Sequence, residues 1–214
     1  MYLRIEMDTN KGNILFDTND KTIKTVKDKD EGYYIYRENF KVYNAITNEI
    51  VAKITGTFLD EERCLNDEMD LYYISDIIDQ ESADAFSALL DDERYKYVSD
   101  DISWRPLLTC YLDTFYVMPE YRGKGIGTYL LSNLPDIFNV YLNRYIHAIV
   151  TYPKPLPLSG ETITEKEESE MLLKMKRHLK RAGYAEIGKS NFYIQNFATK
   201  SDYEREREME YGKT

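Results

Sequence analysis

The sequence predicts an α/β (α+β) fold, a mixed sheet flanked by helices, and three observations carry that prediction. Two runs of strand-forming residues, Tyr33 to Tyr43 and Ile50 to Leu59, lie either side of a turn at Asn44–Asn48. That is the pattern of an antiparallel hairpin or meander. Residues 107–138 pass from a strand-type run through a glycine-rich loop into apolar positions at helical spacing. Beyond them lie one more strand-type run, a capped helix and two short closing strands.

Taken in order, residues 1–32 alternate weakly and suggest a short hairpin or edge segment ahead of the two strands. Cys64 to Asp70 reads as a polar connector. Asp79 to Leu90 has helical propensity, with Asp79 as N-cap and Phe86, Leu89 and Leu90 on one face. Pro106 introduces a long strand over 107–117, and a helix begins near Ile126 with Ile126, Leu130, Leu134 and Phe138 facing the sheet. Pro135 removes a backbone bond at a cost of ~3 kcal/mol, so the helix is expected to kink or end there. Tyr145 to Tyr152 is the next strand, and Pro153 to Pro157 is an extended surface loop. Thr164 with Glu167 forms a capping box for a helix that turns Met171, Leu172, Met175 and Leu179 inward and stops at Gly183. Ala185–Ile187 and Asn191–Phe197 close the fold, and the run from Ser201 is a solvated, charged tail.

The 214 residues suit a single domain over 1–200 followed by the tail 201–214. Within it, a ligand-binding core at about 104–197 follows a variable front half at 1–103. A hydrophobic share of 43% is enough for a core and argues against wholesale disorder. A formal charge of −10 argues against nucleic acid or an anionic membrane as the main partner. Two cysteines far apart and two histidines form no metal-ligating pattern. No apolar run approaches the ~20 residues of a membrane span, and no signal-type segment opens the chain. A reducing, cytoplasmic setting is therefore expected, with no metal.

The informative stretch is Tyr116-Val-Met-Pro-Glu-Tyr-Arg-Gly-Lys-Gly-Ile-Gly127. Glycines allow positive φ and close approach, and the unpaired N–H groups of a first helical turn point at an anion. The helix dipole, Arg122 and Lys124 add to that attraction. A Walker loop would need a lysine followed by a hydroxyl residue, and a dinucleotide fingerprint would need Gly-x-Gly-x-x-Gly near the start of a βαβ unit. Neither spacing is present. The string Arg-x-x-Gly-x-Gly, with Val-x-Pro-x-Tyr before it, resembles the acyl-CoA signature of the GCN5-related N-acetyltransferase (GNAT) superfamily. The resemblance is specific over residues 107–140 and extends through 197, while nothing before about residue 70 carries it. The helix between the front hairpin and the long strand suggests a variant layout.

The resemblance implies a mostly antiparallel twisted sheet and an acyl transfer from acetyl-CoA to a primary amine. It assigns Arg122, Gly123, Lys124, Gly125, Ile126, Gly127 and Thr128 to the CoA diphosphate. Phe115, Tyr116 and Val117 would be backbone contacts for the pantetheine arm, with a strand N–H near Val117 or Tyr116 polarising the thioester carbonyl. Asp113 stands where some members carry a glutamate base; its other reading is a strand-end aspartate bonded to backbone or solvent. Many members carry a tyrosine acid four residues before the glycine that ends the later helix, and Leu179 stands there instead. His178 and Tyr152 are the substitutes to weigh, against a solvent-facing histidine and a packing tyrosine among 20. The basic run from Lys174 to Arg181 is either a solvated helix face or a contact for the CoA 3′-phosphate. The acceptor is a small-molecule or protein amine, and residues 60–105 and 153–164 are where its loops belong. Two functions remain open: an N-acetyltransferase, or a silent protein of this fold that binds CoA as a sensor or interaction module.

Overall fold

A computed structural model describes residues 3–7, 34–69, 71–76, 80–91, 96–97, 108–155, 164–188 and 190–197. The expected N-cap at Asp79, the prolines beyond 155 and the charged tail lie outside these residues. β1 (Leu3–Met7), β2 (Ile35–Asn44) and β3 (Ile50–Asp60) form an antiparallel meander. α1 (Glu61–Asn66), α2 (Leu71–Asp76) and α3 (Gln80–Leu89) follow, then a small hairpin of β4 (Leu90–Asp91) and β5 (Lys96–Tyr97). β6 (Leu108–Val117) leads through a 3-10 turn at Pro119–Tyr121 into α4 (Ile126–Leu142). β7 (Ala148–Thr151), α5 (Glu165–Arg181), β8 (Ala185–Glu186) and β9 (Tyr193–Asn196) complete the chain.

The main sheet has seven strands in the order β1-β2-β3-β6-β7-β9-β8. Every pairing is antiparallel except β6 with β7. The front strands therefore join the glycine-loop strand in one hydrogen-bonded sheet. Strand alternation sends side chains to two separate cores. One face packs Phe40, Ile54, Phe58, Cys110 and Leu112 against Leu130, Leu134 and Phe138 of α4 and Leu179 of α5. The other packs Ile35, Leu59, Tyr111 and Val150 against Cys64, Leu71, Ile74, Phe86 and Leu89 of α1–α3.

Two expectations are corrected. Cys64 lies in helix α1, not in a polar connector, and is fully buried. The buried Asp60 at the end of β3 accepts the N–H of Arg63 (3.2 Å) and so caps a helix too short to show a period. The chain also forms α2, which supplies Leu71 and Ile74 to the second core. Pro135 neither ends α4 nor keeps it from reaching Leu142. Beyond the proline, Phe138 packs against Phe40 in a tilted pair at 5.1 Å and meets Phe58 edge-on at 5.2 Å. Burial of such a ring and its neighbours offsets the ~3 kcal/mol lost at an internal proline. The capping box at Thr164 and Glu167 forms as expected. At the far end, Tyr184 N–H reaches Leu179 O (3.0 Å) and Gly183 N–H reaches Lys180 O (3.2 Å), with Gly183 at φ +94°.

Two features of the α4-facing side have measurable consequences. A Cβ on Gly56 would lie 2.8 Å from Cys110 Sγ and 3.3 Å from the Phe58 ring. Gly56→Ala is expected to destabilise the fold by about 1–3 kcal/mol. Cys110→Ala should recover part of that loss, so a double-mutant cycle by urea denaturation must be non-additive; additive losses would contradict the close contact. Beside Gly56, Glu38 is cross-strand paired and its Oε2 is buried without a hydrogen-bond partner. Burial pushes its carboxyl up to about 7 from the usual 4.5. The folded chain thus keeps a proton that the unfolded chain loses between these values, so stability falls as pH rises through that window. Glu38→Gln is expected to flatten this decline and to add about 1 kcal/mol at pH 8. Urea midpoints from pH 5 to 8 that match the parent protein would refute this.

Candidate functional site

The site begins with an irregularity in β6. Opposite β3, Thr55 faces Thr114 and Gly56 faces Leu112, which leaves Asp113 unopposed as a β-bulge. On the other side β6 pairs with β7 only from Thr109 to Tyr111, opposite Ala148 to Val150. Thr151 Oγ1 donates to Leu112 O (3.2 Å) at the point where the two strands part. From Asp113 to Val117, among the described residues, no strand covers this edge of β6.

The bulge decides which amides face the opening. Met118 N–H bonds to Val51 O across β3 (2.9 Å), whereas Arg122 Nε donates to Val117 O from the opposite edge (2.9 Å). Alternation between these fixed points turns the amides of Phe115 and Val117 to the open edge and that of Tyr116 towards β3. Of the three residues expected along the arm of a ligand, two therefore present free edge amides.

The open edge runs into the start of α4. Gly123 and Gly125 adopt φ +72° and +78°, and Gly125 is the N-cap residue in left-handed conformation, with no side-chain cap. A Cβ at either would meet nothing within 4 Å, so the loop stands open around its first-turn N–H groups. At Gly127 a Cβ would rest 3.6 Å from Val117 and 3.8 Å from Phe115, so the absent side chain lets the turn sit on β6. Ile126 is buried and anchors the helix. Tyr121, also buried, donates to Glu49 Oε2 (2.6 Å) and supports the ring face over which Lys124 lies at 5.1 Å. Arg122 is exposed and its guanidinium lies 5.0 Å over Tyr116.

The three candidate catalytic side chains fall in two places. Asp113 and Tyr152 project on the α1–α3 side of the sheet, from opposite lips of the parting. Asp113 Oδ2 accepts from Thr57 Oγ1 (2.9 Å), and Oδ1 lies 3.5 Å from Arg37 Nη2. Tyr152 follows Thr151, is exposed, and packs on Phe192 at 5.4 Å. His178 is elsewhere: its Nδ1 is 3.1 Å from Thr128 Oγ1 in the first turn of α4. It stands at the α4 end of the opening rather than at the bulge. Leu179 is buried in the α4-side core and offers no proton. Sequence reasoning missed Arg37 and Thr57, since only strand pairing brings them to Asp113. Tyr184 is likewise a buried hydroxyl without a partner, whose titration burial raises.

Solved structures of similar fold include AtaTR bound with AcCoA, at 11% identity and TM-score 0.41 over 91% of this chain and 93% of that one. AtaT complexed with acetyl-methionyl-tRNAfMet is similar at 12% identity and TM-score 0.44, over 95% and 99%. Mutant forms of the spermidine/spermine N-acetyltransferase SpeG from Vibrio cholerae match at 11% identity and TM-score 0.36, over 79% and 70%. Likenesses of this size carry no argument about this chain's partners, and the exclusion of nucleic acid drawn from the net charge is unsupported. No curated protein matches the chain. Among the described residues, no helix is long and apolar enough to cross a membrane. The model of the acetyltransferase (GNAT) family matches residues 4–151, a span that includes the front strands where the sequence alone gave no such likeness. With that span, the bulged and parted β6, and the glycine-capped helix that follows it, the chain belongs to the acetyltransferase (GNAT) family.

Proposed function

We propose that this chain transfers an acetyl group from acetyl-CoA to a primary amine by direct attack on the thioester, within a single domain. The observation that supports it most is the uncovered edge of β6 from Asp113 to Val117, running straight into the open N-terminus of α4. In this reading the N–H groups from Arg122 to Thr128 hold the diphosphate. The edge amide of Val117 pairs with the pantetheine arm as an added strand would, which leaves that of Phe115 beside the thioester. His178 and Lys124 serve the phosphate end.

The chemistry then falls to the bulge. The amine nitrogen attacks the thioester carbon, and the Phe115 N–H, the open-edge amide nearer the bulge, takes the developing oxyanion, a role worth about 3 kcal/mol where geometry is good. Asp113, directly or through one water, removes the proton of the incoming ammonium. The nitrogen of the tetrahedral intermediate gives up its second proton, the C–S bond breaks to release the amide, and that proton, relayed through Tyr152 or water, ends on the thiolate.

A second reading, a silent CoA-binding protein, draws on two observations: Leu179 at the usual acid position, and an Asp113 already engaged by Arg37 and Thr57. Thiol release separates the two. The proposed enzyme raises its melting temperature with CoA and releases thiol from acetyl-CoA in the presence of an amine. Binding without thiol release across an amine panel supports the silent reading.

Two variants test the assignments. Gly125→Val forces a β-branched residue to φ +78° and fills the mouth of the helix. It is expected to abolish the CoA-induced rise in melting temperature, and an unchanged rise would sink the loop assignment. Asp113→Asn is expected to lower kcat/KM by about 10²- to 10⁴-fold with the CoA-induced shift intact. A loss of less than threefold would remove Asp113 from the chemistry.

A further inference from the structure

A net charge of −10 would tolerate a cationic acceptor, but positive side chains gather on the acceptor side of the opening. On the α1–α3 face, the rows that cross the sheet beside β6 are Arg37–Thr57–Asp113, Asn39–Thr55–Thr114 and Lys41–Lys53–Tyr116. Thr55 Oγ1 donates to Asn39 Oδ1 (2.7 Å), so the middle row is neutral and internally satisfied. Arg122 adds its guanidinium above Tyr116. Among the described side chains of these rows, Asp113 is the single carboxylate, since Glu38 projects to the other face. Arg37, Lys53 and Arg122 thus place positive charge around Asp113, while Lys41 is registered opposite Glu6 of β1.

Arg37 is the member placed to act on substrate. Its Nη2 is 3.5 Å from Asp113 Oδ1, long for a charge-assisted bond, which forms at ~2.8 Å. Thr57 makes the closer contact to that carboxylate. The Arg37 side chain is 36% exposed where that of Asp113 is 8% exposed, so the guanidinium is the member of the pair that solvent or a ligand can reach. A guanidinium carries five N–H donors in a planar fork, and one long ion pair leaves most of them for another anion.

We propose that the acceptor is an amine that also bears an anionic group, a carboxylate or phosphate a few bonds from the nitrogen, and that Arg37 is the specificity-determining residue that binds it. The inference rests on the acyltransferase reading above. An amine brought within hydrogen-bond reach of Asp113 places its near substituents beside the Arg37 fork. A carboxylate or phosphate there is held bidentately, which also fixes the nitrogen over the thioester carbon. The second ammonium of a diamine would meet a like charge at the same spot, so diamines are poor acceptors.

The test uses the full chain and matched acceptors: β-alanine against β-alaninamide, O-phosphoethanolamine against ethanolamine, and 1,4-diaminobutane. Thiol release from acetyl-CoA should favour the anionic member of at least one pair by about tenfold or more in kcat/KM. The pair that shows it separates carboxylate from phosphate recognition. Arg37→Gln should bring that ratio to about one while the CoA-induced melting shift stays as in the parent, and Arg37→Lys should keep part of the preference. A mere structural partner of Asp113 would lower all rates and leave the ratio unchanged. Preference for 1,4-diaminobutane, or a ratio unaltered in Arg37→Gln, overturns the proposal. If neither pair turns over, calorimetry on the CoA-saturated protein decides: binding of the anionic acceptors that Arg37→Gln removes sustains it, and no binding overturns it. Loss of the CoA shift in the parent protein would instead strike the underlying acyltransferase reading.

Discussion

The parallel pairing of β6 to β7 over three residues, and its end at Leu112, is the constraint on which the rest of this structure depends. A parallel pair that continued to Val117 would leave no edge to receive a ligand strand. The bulge at Asp113 accompanies that ending. It keeps β6 registered to β3 while changing which amides look outward. Because β3 pairs with β6 along nearly its whole length, the parting occurs on one side only, and the strand that lines it stays rigid. Rigid edges hold a ligand at lower ordering cost than loops do.

The two cores divide the labour around that edge. The α4-side core fixes the helix whose first turn faces the anion end: Leu130, Leu134 and Phe138 are fully buried, so the position of Gly125 follows from packing on Phe40 and Phe58. The α1–α3 core holds the opposite face and stops short of the Arg37–Thr57–Asp113 row. The polar row thus lies beside that core rather than within it. The buried Asp60, bonded by Arg63 and Arg144, ties the end of β3 to the turn after α4 and so couples the two sides.

The sequence shows the loop and its flanking elements plainly, because glycine at left-handed φ, a proline-ended strand and an apolar helix stripe are all local signals. β2, β3, α3, α5 and the closing strands are read for the same reason. Pro135 misleads, since local propensity puts an end where the rings of Phe138, Phe40 and Phe58 enforce continuity. α1 and α2 are invisible because six residues hold less than two periods of a helix, and the cap of α1 is a buried strand-end aspartate. The partners of Asp113 are equally hidden: Arg37 and Thr57 lie 76 and 56 positions away in sequence, and the strand register alone unites them. His178 shows the limit from the other side. Its neighbour Leu179 marks the motif position, yet the ring turns to Thr128, a contact that no spacing rule foretells.

The absence of a tyrosine at Leu179 weighs less than it first suggests, for a reason of magnitudes. A thiol of ordinary pKa near 8.5 leaves as a thiolate without much help at neutral pH, so an acid lowers that step by little. An alkyl ammonium near 10.4 must lose a proton before it can attack, and at pH 7 that costs about 4–5 kcal/mol. The demanding step in the proposed reaction is therefore on the acceptor side, where Asp113 sits, and not on the leaving-group side. A site that has lost its acid but kept a carboxylate at the bulge retains the group that matters more. The same ordering explains why the guanidinium next to Asp113 carries so much consequence. In the proposed reaction, whatever occupies Arg37 would set both how the amine is aimed and how freely the carboxylate takes its proton, so one row of the sheet would govern acceptor choice and rate.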